Sequence, residues 1–170
     1  ASRLALALWD SVPDASLLKA AASGQLKTEA QVRQQAQRMM KDPRAKAKLR
    51  DFLHDWLHVE EGAEIAKDQQ EYPGFDQAVV MDLRTSLDLF TEGVVWSEAS
   101  DYRQLLLGDT ILMNERLAKF YGQKVEAGAG FQPVKMDPEQ RGGVLTHPFL
   151  LATFSYTKST SPIHRGVFVT

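Results

Sequence analysis

PRAKAKLRDFLHDWLH, residues 43–58, is the stretch whose reading decides the fold class. Leu49, Phe52, Leu53, Trp56 and Leu57 stand at i, i+3, i+4, i+7 and i+8, the apolar stripe of a helix that buries one face. Asp42-Pro43 supplies a cap followed by proline at the first helical position, where the missing N–H has no partner to lose.

Upstream, Thr28-Glu29-Ala30-Gln31 is a capping box, and the helix it opens carries Val32, Ala36, Met39 and Met40 on one face. The leucines of Arg3 to Trp9 alternate, which a strand would also allow, but the alanine and leucine content favours a buried helix. Pro13 stops it. Asp14 caps a second short helix through Ala22, closed by Gly24.

Downstream, Glu71-Tyr72-Pro73-Gly74 breaks the chain. Phe75, Val79, Leu83, Leu87, Phe90 and Val94 then mark a long amphipathic helix reaching Trp96. A short helix is predicted near Tyr102 to Leu107, Gly108-Asp109 turns, and Asn114 caps a helix with Leu117, Phe120 and Tyr121 that ends at Gly122. Residues 131–136 read as one strand, with Asp137-Pro138 turning back. Val144 to Phe154 reads as an apolar helix, and Ser161-Pro162 starts another with Ile163, Val167 and Phe168. That last helix has no terminator before Thr170, and the opening is equally abrupt, so both ends read as cuts within a longer polypeptide. The expected fold is all-α: a bundle-like domain of about seven to eight helices with at most one short strand or hairpin.

With 44% apolar and 25% charged residues in 170, the composition is that of an ordinary globular domain. Apolar runs such as residues 94–96 and 149–152 are far too short for a transmembrane segment, and residues 1–8 lack the basic leader of a signal peptide. There is no cysteine, which removes thiol catalysis, disulfides and C-x-x-C-H haem attachment from these residues.

The net charge of −2 hides an asymmetry. Lys27 to Arg50 holds eight basic and two acidic residues, whereas Asp51 to Asp101 holds two basic and thirteen acidic ones. Complementary helix rims explain this best. The basic stretch has no aromatic residue to stack on a base, so nucleic acid is not an expected partner.

Few residues suggest chemistry. His54 and His58 have the i, i+4 spacing of a helical metal site, with Glu60, Glu61 or Glu64 as a third ligand; the plain alternative is two polar flank residues. His147 and His164, each in an apolar segment, are candidate haem ligands or hydrogen-bonded core histidines. Arg3, Arg141 and Arg165 suit either an anionic ligand or the anchoring of loops and helix ends. Arg141-Gly142-Gly143 lacks the phosphate-loop pattern and reads as a tight turn with close backbone packing. No catalytic triad is present in the pattern, so the reading leans away from an enzyme within these residues.

An ordered set of segments carries a family resemblance. It begins with Ser2-Arg3-Leu4 through Leu8-Trp9-Asp10-Ser11-Val12-Pro13-Asp14, then Phe52 with Trp56-Leu57, then Tyr72-Pro73-Gly74-Phe75-Asp76. It continues with Leu112-Met113-Asn114-Glu115-Arg116-Leu117-Ala118, Tyr121-Gly122, Arg141-Gly142-Gly143-Val144-Leu145-Thr146, and Thr160-Ser161-Pro162-Ile163-His164-Arg165-Gly166. The set resembles domain of unknown function 1592 running into the start of domain of unknown function 1588. Such domains occur in large exported proteins of planctomycetes and related bacteria, usually with cytochrome c-type modules.

The resemblance implies a helical domain over residues 1–126, and a linker with the start of the next domain over residues 127–170. It implies export, other domains of the same polypeptide as partners, and covalent haem c in a downstream module, with no cofactor in these residues. His54 and His58 fall outside the positions of the family pattern. The expected function is a structural or docking domain. The alternatives are the substrate-pocket module of a haem-dependent oxidoreductase, or a module that binds haem or metal without covalent attachment.

Overall fold

Helical spacing and a side-chain cap at most helix starts account for most of the chain. In the computed structural model, residues 1–169 are described, the side chains of Glu61 and Ala63 excepted. The chain divides into two compact units, residues 1–55 and the residues from Trp56 onward.

The first unit holds α1 (Ser2–Trp9), α2 (Ala15–Ala22), α3 (Glu29–Met39) and α4 (Pro43–Trp56), whose final residue opens the second unit. Asp14 caps α2 by accepting from the Leu17 N–H, and Thr28 with Gln31 forms the reciprocal box that opens α3. Ala5, Trp9, Leu17, Ala20, Met39 and Ala45 are buried. The Trp9 indole N–H donates to the Met39 carbonyl at 2.9 Å, which satisfies the one polar atom of a buried ring and ties α1 to the end of α3. Only half of the stripe on α4 is covered: Leu53 is buried, while Phe52 is 59% exposed.

The second unit is built around α5 (Gln77–Val95), capped by Asp76 and buried along Val79, Val80, Leu83, Ser86, Leu87, Phe90 and Thr91. It continues through α6 (Gln104–Leu107), β1 (Thr110–Met113), α7 (Glu115–Phe120), β2 (Gln132–Lys135), α8 (Pro148–Thr153) and α9 (Pro162–Val169). The strands pair antiparallel in the register Thr110 with Lys135 through Met113 with Gln132. Ile111 and Met113, on one face of β1, are buried in the same core as α5. Pro133 is tolerated because both strands of a two-stranded sheet are edges.

Glycine has a definite task at the turn before α8. Gly143 sits at φ 58 with ψ −164, a region closed to side chains, and its N–H donates to the Gly108 carbonyl at 2.7 Å. A Cβ there would strike the backbone of Leu105 and Leu106.

These features correct the expected all-α bundle of seven to eight helices with at most one strand or hairpin. Nine α-helices form among the described residues, they fall into two units rather than one bundle, and the sheet is not a hairpin because α7 separates its strands. Four residues of β1 carry no usable periodicity, and their pairing partner lies beyond a whole helix. The single helix read over residues 144–154 is also divided, into a 3-10 turn (Val144–Thr146) and α8. Pro148 has no N–H to continue a helix, so His147 takes an extended conformation and caps α8 from outside. Among the described residues, no helix is long and apolar enough to cross a membrane.

Candidate functional site

The second unit contains a cleft of about 350 Å³ in which two of the three singled-out arginines meet. One wall is the segment after the 3-10 turn (Val59–Glu64), contributing Lys67, Tyr72 and Phe75. The end of α7 brings Phe120 and Tyr121, and the turn before α8 brings Arg141. The loop after α8 adds Ser155, Ser159 and Thr160, and the first turn of α9 adds Arg165. α9 is set in place by Phe168, whose ring stacks on Phe154 at 4.5 Å, and by buried Ser161, whose hydroxyl accepts from the His164 N–H.

Lys67 holds the wall together. Its ammonium reaches the Ala152, Ser155 and Tyr156 carbonyls and the Ser155 hydroxyl at 2.8–3.1 Å, closing the C-terminal end of α8. Burial lowers its pKa. The Asp68 N–H donates to the Thr157 carbonyl, and the Lys158 ammonium lies 3.2 Å from the Asp68 carboxylate, so the same two segments are joined beyond the cleft.

The arginines are held far more loosely. Among the described residues Arg165 makes no ion pair and no side-chain hydrogen bond, and Arg141 makes one long bond to the Gln140 carbonyl at 3.4 Å. No Asp or Glu lines the cleft among the described residues. Burial pushes the Tyr121 phenol up to about 12 against the pull of the Arg141 guanidinium, so it stays neutral at ordinary pH. The cleft is therefore positive, partly aromatic, and without an internal counter-charge. Arg3 lies on α1 in the first unit and is no part of it.

His147 is a core residue with both ring nitrogens engaged. Nδ1 accepts from the Phe149 N–H at 3.3 Å, which leaves the proton on Nε2 to donate to the Ser86 hydroxyl at 3.3 Å. The ring is 2% exposed, and burial, aided by the Arg141 charge, lowers its pKa to about 3. Neither nitrogen is available to iron in this geometry, so His147 does not fit an axial haem ligand. It is a neutral strut between α5 and α8.

His54 and His58 do not share a helix face. α4 ends at Trp56, and His58 turns out of it at φ 53 and ψ 40. Its ring meets Phe168 edge-on at 5.8 Å. His58 instead lines a second cleft with His164, which packs against Tyr156 at 5.2 Å. The sequence paired His54 with His58 and took His147 and His164 as separate candidates; the fold instead sets His58 and His164 in the lining of one cleft. The Glu61 side chain, named as a possible third ligand, lies outside the described residues. Among the described residues, no group of three or more His, Asp or Glu is arranged to hold a metal ion.

Sequence reasoning missed Lys67, Tyr72 and Tyr121 as cleft residues. The available signals were modest. Lys67 is one of only two basic residues between Asp51 and Asp101, and each tyrosine precedes a chain break at Pro73-Gly74 or Gly122.

No curated protein and no solved structure matches the chain. Residues 1–123 match the family described as PSD4, protein of unknown function (DUF1592). That match spans all of the first unit and the second as far as the end of α7, including the Lys67, Tyr72 and Tyr121 side of the cleft. With well over half of its length inside that match, the chain belongs to the PSD4 (DUF1592) family.

Proposed function

We propose that this chain supplies an anion-binding pocket to a larger protein, the substrate-pocket reading among those the sequence allowed. The observation that carries it is the meeting of Arg141 and Arg165 in one cleft that no carboxylate lines among the described residues. A guanidinium offers five donors in a planar fork that suits carboxylate or phosphate, and two left without counter-charges inside a concave site favour an anion there. The setting we propose is an exported polypeptide of the planctomycete type with cytochrome c modules, which rests on the resemblance of the motifs from Ser2 to Gly166. The redox step would then belong to a neighbouring module, with this chain binding and orienting the substrate.

A docking role for α9 is supported separately by its apolar outer row, where Ile163 and Val167 are each more than 70% exposed. Other domains of the same polypeptide are the partners we propose for that row.

Thermal unfolding of the chain in a series of small anions tests the pocket. The midpoint should rise with concentration for anions that fit, and the rise should vanish in a double Arg141→Gln, Arg165→Gln variant. A variant that responds as the parent does would exclude this cleft. A reduced-minus-oxidised visible spectrum of the parent protein from its native cells tests the setting: sharp c-type bands are expected, and a flat spectrum removes it.

A further inference from the structure

Building on the anion-pocket reading and resting on it, we infer that the cleft is built for a small aromatic carboxylate. Charge fixes one end of such a ligand: Arg141 and Arg165 line a space with no carboxylate of its own among the described residues. Lys67 adds positive potential but not donors, since its ammonium is already committed to carbonyls and a hydroxyl of the 152–156 segment.

The aromatic lining fixes the body. Phe75, Phe120 and Tyr121 form a run of edge-to-face rings, with centroids 5.8 Å apart for the first pair and 5.1 Å for the second. Tyr72 stands at the same cleft and is 39% exposed. A further flat ring extends such a run favourably, because the positive edge of one ring meets the negative face of the next. Inorganic phosphate or acetate would gain nothing from this wall. Tyr121 remains protonated, so it adds no negative charge that would repel the ligand.

Size narrows the class further. At about 350 Å³ the cleft is at the small end of ligand pockets, suited to a single ring with its acid group rather than to a nucleotide or a tetrapyrrole.

The test is calorimetric titration of the full chain with benzoate, acetate, phenyl phosphate and inorganic phosphate. Benzoate should bind about tenfold or more tighter than acetate, and Arg141→Gln and Arg165→Gln should each weaken it by about the same factor. Tyr72→Ala should weaken benzoate while leaving acetate unchanged. Arg141→Lys and Arg165→Lys keep the charge and lose the fork; each should give an intermediate loss, and they replace the glutamine variants if those fail to fold. Equal binding of acetate and benzoate would overturn the aromatic assignment and leave the anion pocket standing. A preference for phenyl phosphate over benzoate would overturn the carboxylate assignment. No binding of any of the four would overturn both the inference and the pocket reading beneath it.

Discussion

The two units of this chain stabilise a polar ring in opposite ways. In the first, the Trp9 face is covered from outside by charge: the Arg44 guanidinium lies 3.6 Å from the ring centroid and that of Arg38 5.6 Å. Each arginine is in turn held by a carboxylate near a helix start, Arg44 by Asp42 and Arg38 by Asp14, through two contacts of 2.7–3.1 Å. In the second, the His147 ring is buried in the core and held by one hydroxyl and one backbone N–H. Partly exposed ion pairs contribute little each, whereas a buried neutral histidine has a large stake in remaining neutral. Each unit should therefore fail first under a different stress.

The largest effect belongs to the backbone of the second unit. Gly143→Ala forces a Cβ into the Leu105 and Leu106 backbone at a φ that disfavours side chains. A loss of roughly 3 kcal/mol or more is expected in denaturant unfolding, confined to residues from Trp56 onward. A neutral outcome would mean that the close approach of this turn to α6 is not a constraint.

Acid separates the units next. The unfolded His147 takes up a proton below its ordinary value of 6.5, while the folded one refuses it down to about 3. Its contribution is therefore complete above pH 6.5 and is lost progressively as pH falls through that window. His147→Asn keeps a capping oxygen for the Phe149 N–H and should flatten this slope in unfolding measured from pH 7 to 4. Asp42 in the first unit behaves differently. The bonded Arg44 side chain holds its carboxyl at about 2, so its contribution is present above the unfolded value of 3.8 and is lost only as pH falls through 2. Hydrogen exchange at pH 5 should accordingly show the second unit loosening before the first.

Trp9→Phe keeps a ring under Arg44 but removes the donor to the Met39 carbonyl. A loss of about 1–2 kcal/mol is expected, with faster amide exchange limited to residues 1–55. Thr28→Ala, which breaks the capping box, should cost about 1 kcal/mol and loosen only the start of α3.

The same contrast governs how much was legible in the sequence. Caps and apolar spacing are local, so Asp14, Thr28 with Gln31, and Asn114 could be read directly as helix starts, and each accepts the expected backbone N–H. β1 was invisible because four residues at Thr110–Met113 become a strand only when Gln132–Lys135 arrives from beyond α7. The break at His147-Pro148 was legible in principle, since proline cannot continue a helix, but the surrounding apolar run masked it. For the cleft, residue type was informative and grouping was not. Arg141 and Arg165 stood out as residues suited either to an anion or to anchoring, yet nothing in their spacing placed them with Lys67, Tyr72 and Tyr121, which arrive from separate elements. The helical two-histidine spacing misled because it assumes a helix that continues through His58, whereas α4 ends at Trp56.

The pocket itself is tested most directly by recording the arginine side-chain Nε–H resonances of the full chain by NMR during a benzoate titration. Arg141 and Arg165 should shift together and saturate, while Arg3, on α1 and no part of the cleft lining, stays still. A uniform drift of all three, or no shift at Arg141 and Arg165, would contradict an anion-binding pocket in this cleft.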